Sequence, residues 1–330
     1  MTLPSWLSKN KADTEGADGE APKGTAAVAS SASADPPAKI NHKNILNLLA
    51  YIFNIVFTYG IGTNGWLGNG TNGDLSEKYQ TIITPKSTAF SIWAVIFIFQ
   101  AIFAIVQFLK RFRAHPMVQD GISYWYCGVC LAQVGWTFSF AYEIIPLSLV
   151  FMLLILFSLY GLLYSQYYTE STGKLVEFWL LRFPFFIHAG WITAASALNV
   201  SVVAVWKAAP ADIQLAIGIV SLAVLHAVSV WVLFNLKKGP NYTIACVLSW
   251  ANGWIYAELQ EPKDLITNTF APDTINGVAY AAVSVAFIIL LQVVIRIGMG
   301  TLGKCRGDKT EEEEEQHHES GSDGMFDAKV

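Results

Sequence analysis

Eight apolar runs, each close to the length that crosses a bilayer, constrain what this chain can fold into. They lie near 44–62, 87–109, 121–141, 145–166, 176–206, 212–235, 242–258 and 277–298. A helix rises 1.5 Å per residue, so about 20 apolar residues span the roughly 30 Å hydrocarbon core. Lipid offers no hydrogen bonds to an open backbone, and an apolar segment of this length satisfies its own amides as a helix. The expected fold is therefore all-α, a polytopic membrane helix bundle. Composition agrees: 53% of the 330 residues are hydrophobic and 14% are charged, against about 25% charged in soluble domains. Mean hydropathy is +0.41. The fifth run is long for one crossing, and its start at Val176–Arg182 is expected at the interface. The seventh run is short. Glu143 and Pro146 join the third and fourth tightly, which makes them an antiparallel helical hairpin.

The net charge of −4 comes largely from the ends. Residues 1–40 are rich in Ala, Ser, Asp and Lys and hold Pro36-Pro37, so they cannot bury a core and read as a disordered arm. The arm has no charged region followed by an apolar one, as a cleaved signal has, and it carries acids without arginine, unlike a mitochondrial transit peptide. The stretch 303–330, with Glu311–Glu315, His317 and His318, reads as a disordered acidic tail. Cys305, beside the last span, is a candidate for palmitoylation. Lysine and arginine placement fixes an expected orientation. With the N-terminus in the cytoplasm, that side holds Lys39, Lys43, Lys110, Arg111, Arg113, Lys174, Lys237, Lys238, Lys304, Arg306 and Lys309. The other side holds Lys78, Lys86, Lys207 and Lys263, so both termini are expected in the cytoplasm. The loop 63–86 then faces outward or into a lumen. Its glycines lack the lysine and hydroxyl of a phosphate-binding loop, so it reads as flexible; its Asn69-Gly-Thr71 matches a glycosylation acceptor.

The fifth span carries more than lipid requires. His188, Trp191, Ala195, Leu198 and Asn199 recur at steps of three or four and share one helical face. Such a polar and aromatic stripe suggests a bundle-facing surface that packs closely or holds something flat. His188 and His226 are the histidines inside spans; interhelical hydrogen bonding accounts for them, with a haem ligand or proton relay as the alternative. Cys127 and Cys130 have metal or redox spacing but no second pair, and zinc needs four ligands. Four cysteines, mostly in apolar stretches, make no disulfide framework. Glu143, Arg182 and Glu258 sit near membrane boundaries, where snorkelling explains them. No nucleophile–base set or paired carboxylate appears in a span, so the chain is not expected to be an enzyme.

Three segments resemble the tryptophan-rich sensory protein and translocator protein family. Trp191-Ile-Thr-Ala-Ala195-Ser-Ala-Leu198-Asn199 fits that family's Trp-x3-Ala-x2-Leu-Asn pattern in its fifth helix without a gap. Thr84-Pro85-Lys-Ser-Thr-Ala-Phe90-Ser-Ile-Trp93 is similar to the proline- and tryptophan-rich start of its second helix, with one proline instead of two. Gln133-Val-Gly-Trp136-Thr-Phe-Ser-Phe140 is similar to a third-helix pattern, Gln133 standing where the family has asparagine. The resemblance covers about residues 44–206, a five-helix core, and leaves the last three spans (212–298) as additional helices. It implies a cavity among five helices that takes flat, largely apolar molecules such as porphyrin, haem or sterol. The residues it assigns to ligand binding are Phe90, Trp93, Gln133, Trp136, Phe140, His188, Trp191, Ala195, Leu198 and Asn199. Trp93, Trp136 and Trp191 would stack on the ligand, and Gln133, His188 and Asn199 would meet its polar edge. Two departures count against a sterol. Trp206 replaces the tyrosine of the sterol pattern, and Pro184 lies seven residues before Trp191 where the family's proline lies four before. The expected function is a membrane sensor or carrier for a tetrapyrrole-like ligand; the alternative is an eight-span transporter or channel for a small uncharged solute. No firm cofactor is expected beyond porphyrin or haem as ligand. The expected partners are membrane lipid and a small hydrophobic ligand, with a homodimer allowed and no nucleic acid.

Overall fold

The computed structural model describes residues 39–323, with side chains described through Thr301. All but the last two residues of the expected N-terminal arm lie outside the described residues. The elements are helices. α1 (His42–Phe57) is capped by Asn41, whose side chain accepts from the first-turn amides while Asn44 answers its backbone. A π-helical turn, Thr58–Thr63, extends it. α2 (Asn72–Lys78) starts on a second capping box, Thr71 with Asp74. A 3-10 turn, Ser87–Ser91, leads into α3 (Ile92–Val106). α4 (Trp125–Ala141) and α5 (Ile145–Tyr168) form the expected hairpin. α6 (Leu175–Glu177) and a π turn, Phe178–Arg182, precede α7 (Phe183–Trp206). Pro146 and Pro184 each stand in the first turn of their helix, where a missing N–H costs nothing. α8 (Ala211–Val230), α9 (Tyr242–Leu259), the short α10 (Asp264–Thr269) and α11 (Pro272–Asp323) complete the chain.

Each of the eight apolar runs is a helix. Six of them are long and apolar enough to cross a membrane on length and composition alone. The remaining two, α4 and α9, are shorter or less apolar, and more than half of their residues are buried against neighbours. A helix enclosed by other helices has little lipid-facing surface and can carry Gln133, Thr137 or Asn252 instead of leucine. The run from 176 to 182 is continuous with α7 in one long apolar helix, Leu175–Trp206. The tail expected to be disordered from 303 instead continues α11 through Asp323. No proline interrupts 299–323, and its lysines and glutamates favour helix.

The helices pack in a closed ring, α1–α3–α7–α5–α4 and back to α1. α8, α9 and α11 form a second layer on the far side of α7. α7 is therefore shared: its span is 61% buried, against 33% for the spans of α1, α3, α5 and α11. Gly190 permits the shared position, since a Cβ there would sit 2.9 Å from Val247 Cβ of α9. The chain between α2 and α3 ties the layers together. Ile82 and Ile83 are buried against Leu222, Leu259 and Phe270, and Gln80 Nε2 donates to Glu258 Oε1 at 2.6 Å. Lys86 donates its backbone N–H to Trp254 O at 3.0 Å.

The expected flexible loop 63–86 is thus an ordered lid and strap. Its glycines serve close approach. Gly68 has φ +95, and a Cβ there would lie 2.6 Å from the Ala141 carbonyl oxygen. Asn69 N donates to that same oxygen at 2.8 Å, which seats the lid on the α4–α5 turn. Gly68→Ala should then cost about 1–3 kcal/mol from the strained φ and lower the thermal unfolding midpoint in detergent. Gly73→Ala, where a Cβ meets nothing closer than 3.5 Å, serves as the neutral comparison.

Candidate functional site

The residues singled out on α3 and α7 come together. The turn after Pro85 brings Phe90 edge-on to Trp191, with ring centres 5.5 Å apart. One turn later Trp93 meets Trp191 at 6.5 Å and His188 at 5.6 Å, both in edge-to-face geometry. His188 is fully buried and its Nδ1 lies 2.9 Å from Gln100 Nε2. Gln100 Oε1 in turn accepts from Tyr126 OH at 3.2 Å, so α7, α3 and α4 are joined by one chain of polar contacts. Val247 and Ala251 of α9 belong to the same buried cluster as Trp191. The second layer therefore closes this group from outside the ring.

A second group lies nearer the lid. Trp136 stacks on Phe140 at 5.1 Å and 12°. Leu198 and Val202 of α7, Leu75 and Tyr79 of the lid, and Ile145 of α5 complete that cluster. Gln133, one turn before Trp136, is 1% exposed. Ala195 packs on the central core with little bulk. Asn199 turns toward α5, where its Oδ1 accepts from Ser148 Oγ at 3.4 Å. The three tryptophans thus divide: Trp93 and Trp191 touch, and Trp136 pairs with Phe140 beneath the lid. What the two groups share is unpaired polarity. Both amide atoms of Gln133, the indole N–H groups of Trp136 and Trp191, and His188 Nε2 are buried without a hydrogen-bond partner.

Sequence reasoning passed over Gln100 and Tyr126, which fix His188. A glutamine inside the otherwise apolar Ile92–Val106 was the available signal. It also read Glu143 as a snorkelling boundary residue. Glu143 instead accepts hydrogen bonds from Lys78, from Tyr79 OH and, at 2.9 Å, from Asn69 Nδ2. The Asn69 amide expected to be a glycosylation acceptor is thereby engaged. His226 Nε2 lies 3.0 Å from Gln292 Nε2, an interhelical contact between α8 and α11. Among the described residues no group of three His, Cys, Asp or Glu could hold a metal ion.

A family model described as TSPO-like protein matches residues 44–295. The chain belongs to the TSPO-like family. Comparison with curated proteins and with solved structures gave no match. The TSPO-like match extends well past residue 206, so α8, α9 and the membrane part of α11 fall within the family pattern rather than outside it. This agrees with the way Trp191 and Gly190 are packed by α9. In this TSPO-like protein the Glu143 carboxylate gathers three lid side chains onto the α4–α5 turn. The Lys78 ammonium above all, then Tyr79 and Asn69, hold the Glu143 carboxyl down to about 2 from an ordinary 4.5.

A depressed carboxyl contributes stability that is present above its ordinary value and is lost as pH falls through the folded one. Hydrogen–deuterium exchange of the lid peptides, corrected for intrinsic rates, should therefore rise as pH drops from 4.5 toward about 2. In Glu143→Gln the lid should exchange faster at neutral pH and keep only the smaller acid dependence that the Asp74 cap on Thr71 supplies. An unchanged acid profile in the variant would assign the clamp elsewhere.

Proposed function

We propose that this TSPO-like membrane protein binds a flat, largely apolar molecule, of which a tetrapyrrole is the type, inside its five-helix ring. The observation that carries this reading is the set of unpaired buried polar atoms on Gln133, Trp136, His188 and Trp191. An unsatisfied buried donor or acceptor costs about 1–3 kcal/mol. Residues placed only for packing would have no use for such atoms. A ligand with an aromatic body and a polar rim supplies both needs, since indole edges take ring faces and the free N–H groups take acceptors. Ala195, small and packed on the core, lies on α7 between the levels of Trp191 and Leu198. The lid, fastened at Glu143 and Gln80, keeps water from that interior. In this reading the protein is a sensor or carrier rather than an enzyme, and both ends face the cytoplasm as the lysine and arginine asymmetry requires.

Tryptophan fluorescence of the purified full chain, titrated with protoporphyrin, tests the reading. Saturable quenching is expected. The double variant Trp136→Phe with Trp191→Phe removes two donors worth about 1 kcal/mol each, so its affinity should fall by roughly 30-fold. Absent quenching in the parent protein would sink the ligand class. Quenching of the remaining tryptophans with unchanged affinity in the variant would sink the site.

A further inference from the structure

α1 is amphipathic in the sense opposite to a soluble helix. Ile45, Leu46, Leu49, Ile52, Phe53 and Val56 are exposed, which in a bilayer means facing lipid. Its buried residues are Asn44, Asn47 and Asn54, continued by Thr58. With Tyr51 these positions follow one another at steps of three, four, three and four, a heptad seam written in polar residues. The seam runs over 15 residues, a rise of about 21 Å at 1.5 Å per residue, long enough to cover most of the hydrocarbon core. α4 lies against it. Asn47 Oδ1 accepts from the Cys127 thiol at 3.5 Å, Asn54 Oδ1 accepts from Thr58 Oγ1 at 3.0 Å, and Thr58 Oγ1 lies 3.3 Å from Thr137 Oγ1. At one end Asn44 Nδ2 donates to the Gln107 and Arg113 carbonyls.

Interhelical adhesion explains the satisfied contacts and leaves the others unexplained. Asn47 Nδ2 has no partner, and Asn54 Nδ2 has beside it only the weakly accepting Cys130 sulfur. Both carboxamides are fully buried. A seam serving adhesion alone would gain from alanine, serine or leucine there. The missing partner carries no charge, because neither 44–58 nor 125–141 contains an Asp, Glu, Lys or Arg to balance one. It must also be small, since α1 and α4 are in contact along the seam. The free groups are amide donors, so it must accept hydrogen bonds.

We propose that the α1–α4 seam is a hydrated binding track, which holds water or an equally small uncharged hydrogen-bonding solute on Asn47 and Asn54. The track is independent of the flat ligand proposed for the ring, and its failure would leave that ligand untouched. X-ray radiolysis, which makes hydroxyl radicals from water in place, reads it directly on the full chain in lipid nanodiscs. Cys127 and Cys130 border the seam, while Cys246 of α9 is exposed on the outer surface and lines a groove with Trp250 and Phe287. Cys127 and Cys130 should be oxidised several-fold faster than Cys246, and Asn47→Leu with Asn54→Leu should bring them down to its rate. Rates for Cys127 and Cys130 no higher than Cys246 in the unmodified chain would overturn the proposal, and that result needs no variant to fold. Repeating the exposure with millimolar urea identifies the occupant. Labelling that falls at Cys127 but not at Cys246 marks a seam that takes the solute, and labelling that holds marks one that keeps water.

Discussion

Between helices in a bilayer there is no water to expel, so burying one apolar face against another gains little over leaving it in lipid. What holds such a bundle is close approach and hydrogen bonding in a medium that offers neither in competition. The architecture follows from that constraint. α7 is shared between the ring and the second layer because Gly190 lets α9 come to within a methyl's width. His188, Gln100 and Tyr126 bind three ring helices at one level. Ser148 with Asn199, and Tyr160 with Thr193 at 3.0 Å, bind α5 to α7 at two others. The ring is thus fastened by polar contacts spaced along its height, with aromatic and branched side chains filling the intervals.

The connections do as much as the spans. The lid between α1 and α3 rests on the α4–α5 turn through Gly68, Asn69 and Glu143, and on the second layer through Gln80, Ile82 and Lys86. One segment therefore sets the ring against the helices behind it. Three ion pairs stand on this surface: Lys78 with Glu143, Lys86 with Glu261 at 3.1 Å, and Lys263 with Glu77. Exposed ion pairs contribute little stability individually. Their value here is registration, since each pair joins segments far apart in the chain.

The helices were legible in the sequence because an apolar run near 20 residues long has few alternatives in lipid. The α4–α5 hairpin was legible from a short connection. The order of the ring was not, because hydropathy is a property of one helix while neighbours are a property of pairs. The same limit explains the tryptophans. Helical spacing places Trp191 and Asn199 on one broad face, yet α7 has neighbours on all sides, and small angular differences send Trp191 toward α3 and α9 and Asn199 toward α5. The glycines at 60–73 read as looseness when counted, whereas Gly68 and Gly60 are there for proximity, to a carbonyl and to the Trp66 ring. Glu143 looked like a boundary residue because its partners Lys78 and Asn69 are more than 60 positions away. Residues 207–295 looked like an appendage because the recognisable motifs all precede them; the packing of Val247 on Gly190 makes them part of the same construction.

These attachments are unequal, and the inequality bears on how anything reaches the interior. The α3–α7 wall is backed by α9, and the α4–α5 side is a hairpin held at its turn. The lid is fastened at two places, on the α4–α5 turn at Glu143 and on α9 at Gln80. α1 is different: its outward face is exposed and apolar, and the residues it buries fully are asparagines, with Ala50, Tyr51 and Phe57 packing beside them. Contacts of that kind can be exchanged, one hydrogen bond for another, at little net cost when a polar partner is present. A dry seam would hold α1 tightly, and a hydrated one would let it shift while its amides remain satisfied. Of the five walls of the ring, α1 is accordingly the one whose position depends most on what small molecules share its interface.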